Sequence, residues 1–440
     1  MLPTPEFDTS QRTELPMTPS ASGLSRRAQW AGGQPISFLM HKALAHPELI
    51  SLAAGFVDQQ TLPVAATAEA VAEVLGDEEA GRVALQYGTT AGYGPLRELL
   101  LQRFLAADGV TAAETGLTVD RLLVTAGSNQ LLHLVADTLL DPGDIVLCDA
   151  PSYFVFLGIL QNLGARAVGV TVDDLGVIPE ALEEELERRE AAGELQRVKA
   201  IYVVSYFDNP RGVTLPVQRR RRIVEIARRW SKKQRIHVID DTAYRQLRYC
   251  GEDVPSLRAF DDAGDTVIVA QTFSKSFSPG IRVGYGILPA HLVDPVLNQK
   301  GNLDFGSPNL SQHIIYNVLR SGRFDRHVAR LRDGYREKLT AMLEAAEQYM
   351  SPLEGVRWAR PTGGLYVWLA VPESLDTGPD GPLFDQALAE GMIYVPGAYC
   401  YPAEGAPAAK NLIRLSFGVQ TPENIRRGMQ GLAKAIQQVQ

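Results

Sequence analysis

From about residue 66 the hydrophobic positions settle into a repeating alternation. Short runs rich in Val and Ile, namely Leu-Leu-Val-Thr-Ala-Gly (122–127), 144–150, 165–172, 199–205, 236–241 and 266–273, are each separated by a stretch long enough for a helix. Such runs read as strands buried on both faces, and helices between them as crossovers, so the pattern predicts a largely parallel sheet. Beyond residue 305 the period changes. Phe324, Val328, Leu331, Tyr335, Leu339 and Met342 recur every three or four residues, the stripe of one long amphipathic helix. Two further strand-like runs, 365–370 and 412–417, and a terminal helix from about Pro422 suggest a second unit mixing strands with helices. The expected organisation is an arm over 1–24, a segment over 25–65 contributing to the smaller unit, a large unit over 66–305 and the smaller α+β unit over 306–440.

Composition narrows the class. The chain has 440 residues, 45% hydrophobic and 21% charged, with 39 Gly and 27 Pro, which is the balance of a globular protein. With 43 basic and 51 acidic residues the net charge is −8, and a nucleic-acid partner, which needs a basic surface, is not expected. Three separated cysteines (Cys148, Cys250, Cys400) read as reduced thiols of a cytoplasmic protein. The seven histidines fall in no metal-ligand spacing, and no apolar run reaches the ~20 residues of a membrane span. The arginine run 219–222 reads as a solvated helix face.

The ends of the strands carry the chemistry, since an open α/β sheet binds ligands at its carboxyl edge. After the strand at 266–273 comes Thr272-Phe-Ser-Lys275-Ser-Phe-Ser-Pro-Gly-Ile-Arg282. A lysine alone there would be a surface residue. Flanked by the hydroxyls of Thr272, Ser274, Ser276 and Ser278 and followed by Arg282, it offers an amine for a Schiff base and partners for a phosphate, the demands of an aldehyde-phosphate cofactor. Thr125-Ala-Gly127-Ser128-Asn129 joins a strand to a helix and reads either as an anion site or as a helix capped by Ser128. Asp240-Asp241-Thr-Ala-Tyr244 ends another strand. Asp208-Asn209-Pro210-Arg211-Gly212 and Ala150-Pro151-Ser152-Tyr153 end two more, the former equally a plain turn.

These five motifs in order, with 50–56, 84–100 and 360–369, resemble the fold-type I pyridoxal-phosphate enzymes of the class I/II aminotransferases. The resemblance runs from about residue 34 to the C-terminus. It is nearest the branch of 2-aminoadipate and kynurenine aminotransferases and the catalytic domains of MocR-type regulators. It implies a mostly parallel seven-stranded sheet in the large domain and pyridoxal 5′-phosphate as cofactor. By position it implies Lys275 as the amine that binds the cofactor and moves the proton, and Asp241, three residues before Tyr244, as partner of the pyridine nitrogen. Tyr244 and Asn209 would bond the phenolic oxygen, Tyr153 would stack on the ring, and Ser128, Asn129, Thr272 and Arg282 would hold the phosphate. Tyr87 resembles the tyrosine that reaches the partner subunit's phosphate, which implies a homodimer. Arg414 would grip the substrate α-carboxylate, with Gly55 and Asn209 beside the substrate.

The implied activity is ping-pong transfer of an amino group from an L-amino acid to a 2-oxo acid such as 2-oxoglutarate. The alternatives are a β-lyase or decarboxylase of the same fold and a transcription regulator. The regulator would need a helix-turn-helix ahead of the catalytic unit, and only about 30 polar residues precede the resemblance. Two departures stand out. Arg211 replaces the Thr of Asn-Pro-Thr-Gly and is expected at the surface. The stretch 35–40, with Phe38, Leu39 and Met40, lacks the arginine of the aminoadipate enzymes, which points to an apolar or broad side-chain preference.

Overall fold

In a computed structural model the described residues are 23–32, 39, 45, 46 and 48–440. The arm over 1–24, apart from Gly23 and Leu24, and the stretch 35–40, apart from Leu39, lie outside them.

The main sheet is built on seven strands: β2 (Leu122–Thr125), β3 (Ile145–Ala150), β4 (Arg166–Asp173), β6 (Val198–Val204), β7 (His237–Asp241), β8 (Val267–Thr272) and β9 (Gly284–Ile287). Their order is β4-β3-β6-β7-β8-β9-β2. Pairing is parallel from β4 to β8, while β9 runs antiparallel to both its neighbours. The seven-stranded parallel-rich sheet expected from the sequence is present, widened at the β4 edge by two-residue strands β5 (Gly176–Val177) and β14 (Glu404–Gly405). The pattern of Val and Ile runs missed β9, whose sequence is Gly-Tyr-Gly-Ile. Its glycines answer to close packing: a Cβ on Gly286 would lie 2.6 Å from Leu131, and one on Gly284 2.7 Å from the backbone of Gly127.

Successive residues of each strand serve opposite cores. On β8, Ile268 and Ala270 face one core and Val267 and Val269 the other. The first face is covered by α6 (Ser128–Leu139), α7 (Phe154–Asn162) and α10 (Ala290–Asp304). The second is covered by α4 (Gly94–Asp108), α8 (Pro179–Ala191), α9 (Val217–Trp230) and α11 (Asn309–Arg320). Ahead of these lie the short α1 (Arg26–Trp30), then α2 (Val64–Gly76) and α3 (Glu78–Leu85), which pack on α11; α5 (Ala112–Thr115) is a single turn. Arg220 corrects the expectation of a solvated arginine face. It is wholly buried on α9, donating to the carbonyls of Leu215, Ser205 and Pro255 with its guanidinium 4.1 Å from the Tyr206 ring centroid.

The first core continues into a smaller antiparallel sheet ordered β10 (Arg357–Trp358), β11 (Tyr366–Ala370), β15 (Leu412–Ser416) and β13 (Val395–Pro396). The segment at Ile50–Ser51 (β1) pairs with Met392–Ile393 (β12), tying the N-terminal region to this sheet. Helices α13 (Pro382–Ala389) and α14 (Pro422–Val439) cover it; α14 starts on Thr421, whose side chain accepts from the Asn424 N–H, with Pro422 in its first turn. The stripe seen in the sequence forms α12 (Arg323–Tyr349), 27 residues long. Its first turns place Phe324 and Val328 in the second core, and from Leu331 onward its stripe lies in the first. Gly334 follows that change of core directly, with open space where a side chain would sit.

Candidate active site

Because β2 and β8 run in the same direction and β3, β6 and β7 are parallel to β8, the five motif-bearing loops leave the sheet on one edge. Their side chains line a cavity of about 230 Å³. Of the residues singled out from the sequence, Ser128, Asn129, Tyr153, Asn209, Asp241, Tyr244, Thr272, Lys275 and Arg282 all border it. Phe56, Val204, Ala243, Ser274 and Pro279 complete the wall.

Gly127 adopts φ +88° and is the N-cap of α6, whose end receives no side-chain cap. Ser128 is therefore the first helical residue and does not cap its own helix, so the N–H groups at this helix start point at the cavity uncapped. Arg282 closes the cradle from the other side. It donates from Nη2 to the Ala126 carbonyl at 2.7 Å and from Nη1 to Ser274 Oγ at 3.3 Å. A Cβ on Gly127 would sit 2.6 Å from that guanidinium, so only glycine leaves room. Thr272 donates to Ser274 Oγ at 2.9 Å, which brings a second hydroxyl, Ser274, to the same corner.

At the opposite end Asp241 is buried and accepts from Tyr202 Oη at 3.0 Å and from the Ala243 N–H at 3.1 Å. Burial lifts its pKa to about 6, against the pull of those two donors. Asp240 faces the other way on β7, where it accepts from Ser205 and from the Leu257 N–H, and it takes no part in the cavity. Tyr202 was not singled out beforehand; nothing in a mid-strand tyrosine reveals which carboxylate a neighbouring strand will set beside it.

Lys275 Nζ donates to the Gly55 carbonyl at 2.7 Å. Tyr153 Oη lies 3.4 Å from Asn129 Oδ1. Arg414, although it does not border the cavity, is 1% exposed and donates to Asn209 Oδ1 at 2.9 Å and to the Ala53 carbonyl at 2.8 Å, leaving its Nε unpartnered. Gly55 thus joins the site through its carbonyl and Arg414 through Asn209. Tyr87 is not brought in: it is 77% exposed, and its ring meets that of Phe305 at 5.3 Å between centroids.

Tyr366, on β11, is a further residue that sequence reasoning missed. Its hydroxyl lies 3.2 Å from that of Tyr244, its ring is 4.5 Å from the Arg414 guanidinium, and a Cβ on Gly55 would meet its oxygen at 2.6 Å. It lies more than 100 residues from Tyr244, and the pairing of β11 with β15 and the bond from the Gly364 N–H to the Leu247 carbonyl bring it here.

Arg211 is corrected from surface to interior. It is 5% exposed, held by Asp208 Oδ2 at 2.7 and 2.9 Å and by the Asp173 carbonyl at 2.9 Å, and it lies 3.9 Å from Asp149. An arginine in this turn can be buried only with a carboxylate beside it, and Asp208 three residues earlier was that signal. A second cavity, about 380 Å³, lies on the far side of β8 against Leu100, Arg245 and Tyr285. It holds no lysine, and its Arg245 is engaged by Asp108, so the chemistry belongs to the smaller one.

Among known sequences, the profile described as aminotransferase class I and II matches residues 47–432. The chain belongs to that family. It is an aminotransferase, an enzyme that moves amino groups. Over 90% of its length, and 90% of the relative's, it is 34% identical to aromatic-amino-acid aminotransferase 1 of Thermococcus litoralis. It is 33% identical to the 2-aminoadipate transaminase of Thermus thermophilus, covering 90% and 92% of the two chains. The solved kynurenine aminotransferase of Pyrococcus horikoshii superposes with a TM-score of 0.85 at 30% identity, over 95% of this aminotransferase and 98% of that chain. Among the described residues no helix is long and apolar enough to cross a membrane.

Proposed function

We propose that this aminotransferase takes its amino group from an L-amino acid of apolar or varied side chain and passes it to a 2-oxo acid such as 2-oxoglutarate. The cofactor is pyridoxal 5′-phosphate. The donor set suits it: an uncapped helix start with Arg282, Thr272 and Ser274 for a phosphate, a buried carboxylate at the far end for a ring nitrogen, and one lysine between. When bound, the cofactor supplies an aldehyde for the amino group and a ring that accepts electrons.

The chain's own residues do the rest. Lys275 would hold the cofactor through its amine and, when free, would carry the substrate α-proton; the Gly55 carbonyl accepts from that amine and orients it. Asp241, costly to ionise in its buried setting, would hold the ring nitrogen and favour its protonated form. Asn209 and Tyr244 would serve the phenolic oxygen and Tyr153 the ring, all three lining the cavity. Arg414 meets the substrate carboxylate with a planar fork already oriented by Asn209 and Ala53. Phe56, half exposed at the cavity wall, supports the apolar preference. Tyr87, carried on an exposed face with Phe305, Leu303, Val83 and Leu85, fits a role in the second site of a homodimer.

The observation that carries this reading is Lys275 and Asp241 on one 230 Å³ cavity beside an uncapped helix start. The test is the visible spectrum of purified protein as single amino acids are added without any oxo acid. Loss of the yellow band with one equivalent of oxo acid formed, absent in Lys275→Ala, is expected, and ranking the amino acids tests the side-chain preference. Persisting colour with pyruvate or ammonia accumulating would make it a lyase.

A further inference from the structure

We infer that Tyr366 is a positioning residue that fixes the direction in which Tyr244 donates its proton. The inference rests on the proposed role of Tyr244 toward the cofactor's phenolic oxygen and adds a second phenol behind it.

The two hydroxyls share one hydrogen bond, 3.2 Å long, and among the described residues neither makes another. Two protons are therefore available for one shared bond, and one of the two must go elsewhere. Tyr244 borders the cavity; Tyr366 does not. Tyr366 is 2% exposed, and its oxygen is pressed against the Cα of Gly55, where even a methyl group would come within 2.6 Å. If Tyr244 donated to Tyr366, the Tyr366 proton would be left buried with no acceptor, a penalty comparable to a lost hydrogen bond. If Tyr366 donates to Tyr244, every proton has a destination: the Tyr366 proton is satisfied and that of Tyr244 points into the cavity. The second arrangement wins.

The surrounding groups favour a neutral Tyr244. Burial first, and then the proximity of Tyr366, drive the Tyr244 pKa well above its ordinary value. Tyr153 faces Tyr244 from α7's start, and Tyr335 faces Tyr366 from α12. Arg414 stacks over the Tyr366 ring from β15, Asp241 lies on the cavity wall from β7, and Lys275 is held on the Gly55 carbonyl. A donor chain from Tyr366 through Tyr244 toward the cofactor oxygen stabilises negative charge on that oxygen, because each acceptor becomes a stronger donor when it is itself donated to. The ring of Tyr366 packs Arg414 whether or not the oxygen is present, so the hydroxyl can be removed without removing that contact.

The experiment is a pH titration of the bound cofactor's visible absorbance in the holoenzyme of wild type, Tyr366→Phe, Tyr244→Phe and the double variant. Thermal unfolding of each apoprotein establishes that the ring packing survives. The midpoint is expected to rise in Tyr366→Phe by about half a pH unit or more, the scale of one weakened hydrogen bond. It should rise further in Tyr244→Phe, and the double variant should match Tyr244→Phe, since Tyr366 acts only through its neighbour. The pH profile of kcat/KM should move with the spectrum. An unmoved midpoint in Tyr366→Phe beside a shifted one in Tyr244→Phe overturns the inference and spares the reading of Tyr244; so do shifts that simply add. An unmoved midpoint in Tyr244→Phe overturns both.

Discussion

At the scale of single residues the site is a place where stability is given up for chemistry. Asp241 is the plainest case. Its folded pKa of about 6 stands above the unfolded value near 3.8, so between those limits the folded protein binds more protons than the unfolded chain, and stability falls as pH rises from about 4 to about 6. At roughly 1.4 kcal/mol per unit the ceiling is about 3 kcal/mol. Apo Asp241→Asn is therefore expected to melt at a higher temperature than the parent at pH 8 and at an equal one near pH 4, while binding cofactor more weakly. Thermal unfolding with and without pyridoxal phosphate reads both effects. Asp241 could be picked out in the sequence by its spacing to Tyr244, and Lys275 by its hydroxyls and Arg282. Tyr202 and Tyr366 could not, because each depends on which distant strand the fold sets beside it, whereas the burial of Arg211 had its signal in Asp208 three residues earlier.

At the scale of elements, strands with branched apolar residues were legible and β9 was not. Two of its four residues are glycines, selected by what packs against them: Leu131 on α6 presses on Gly286, and the Gly127 turn presses on Gly284. The pattern of hydrophobic residues records what a strand buries and is silent about what approaches it. The contact between Gly284 and Gly127 also joins this strand to the anion cradle. Gly284→Ala should destabilise by about 1–3 kcal/mol through overpacking against unyielding backbone. Because the backbone that must yield is the Gly127 turn, the variant should also lose affinity for inorganic phosphate and for pyridoxal phosphate in equilibrium titrations. A fall in melting temperature with both affinities intact would refute that linkage.

For the whole molecule, two histidines far from the chemistry weaken the folded state in acid. His237 and His327 are buried, each with one ring nitrogen unpartnered, and burial lowers both pKa values to about 4. The unfolded chain takes up protons near pH 6.5 and the folded one does not, so their stabilisation is present above about pH 6.5 and is lost as pH falls toward 4. Asp149, raised by burial to about 7, and Asp241 slope the opposite way by a comparable amount. Replacing His327 with Gln should make the melting temperature at pH 4, relative to that at pH 6.5, higher than in the parent, and a series of melts across that range measures it. The sequence suggests two units, but the first core runs without a break from one face of the large sheet into the smaller sheet, a continuity that no boundary drawn along the chain would convey.

Helix α12 is where that continuity becomes mechanical. At 1.5 Å per residue its 27 residues make a rod of about 40 Å, anchored at one end among α4, α11 and the large sheet and at the other beneath α14. The stretch beyond Gly334 is a lever arm of a little over 20 Å, so a flexion of 5° at that point swings its tip by about 2 Å. Gly334 is the softest link of the rod and has nothing packed against it to stiffen it. Gly334→Ala should raise the melting temperature, worth up to about 1 kcal/mol, and lower turnover if the swing of this arm paces the opening that releases product. Viscosity dependence of kcat, compared between the two proteins, would tell whether that swing is the clock of the enzyme.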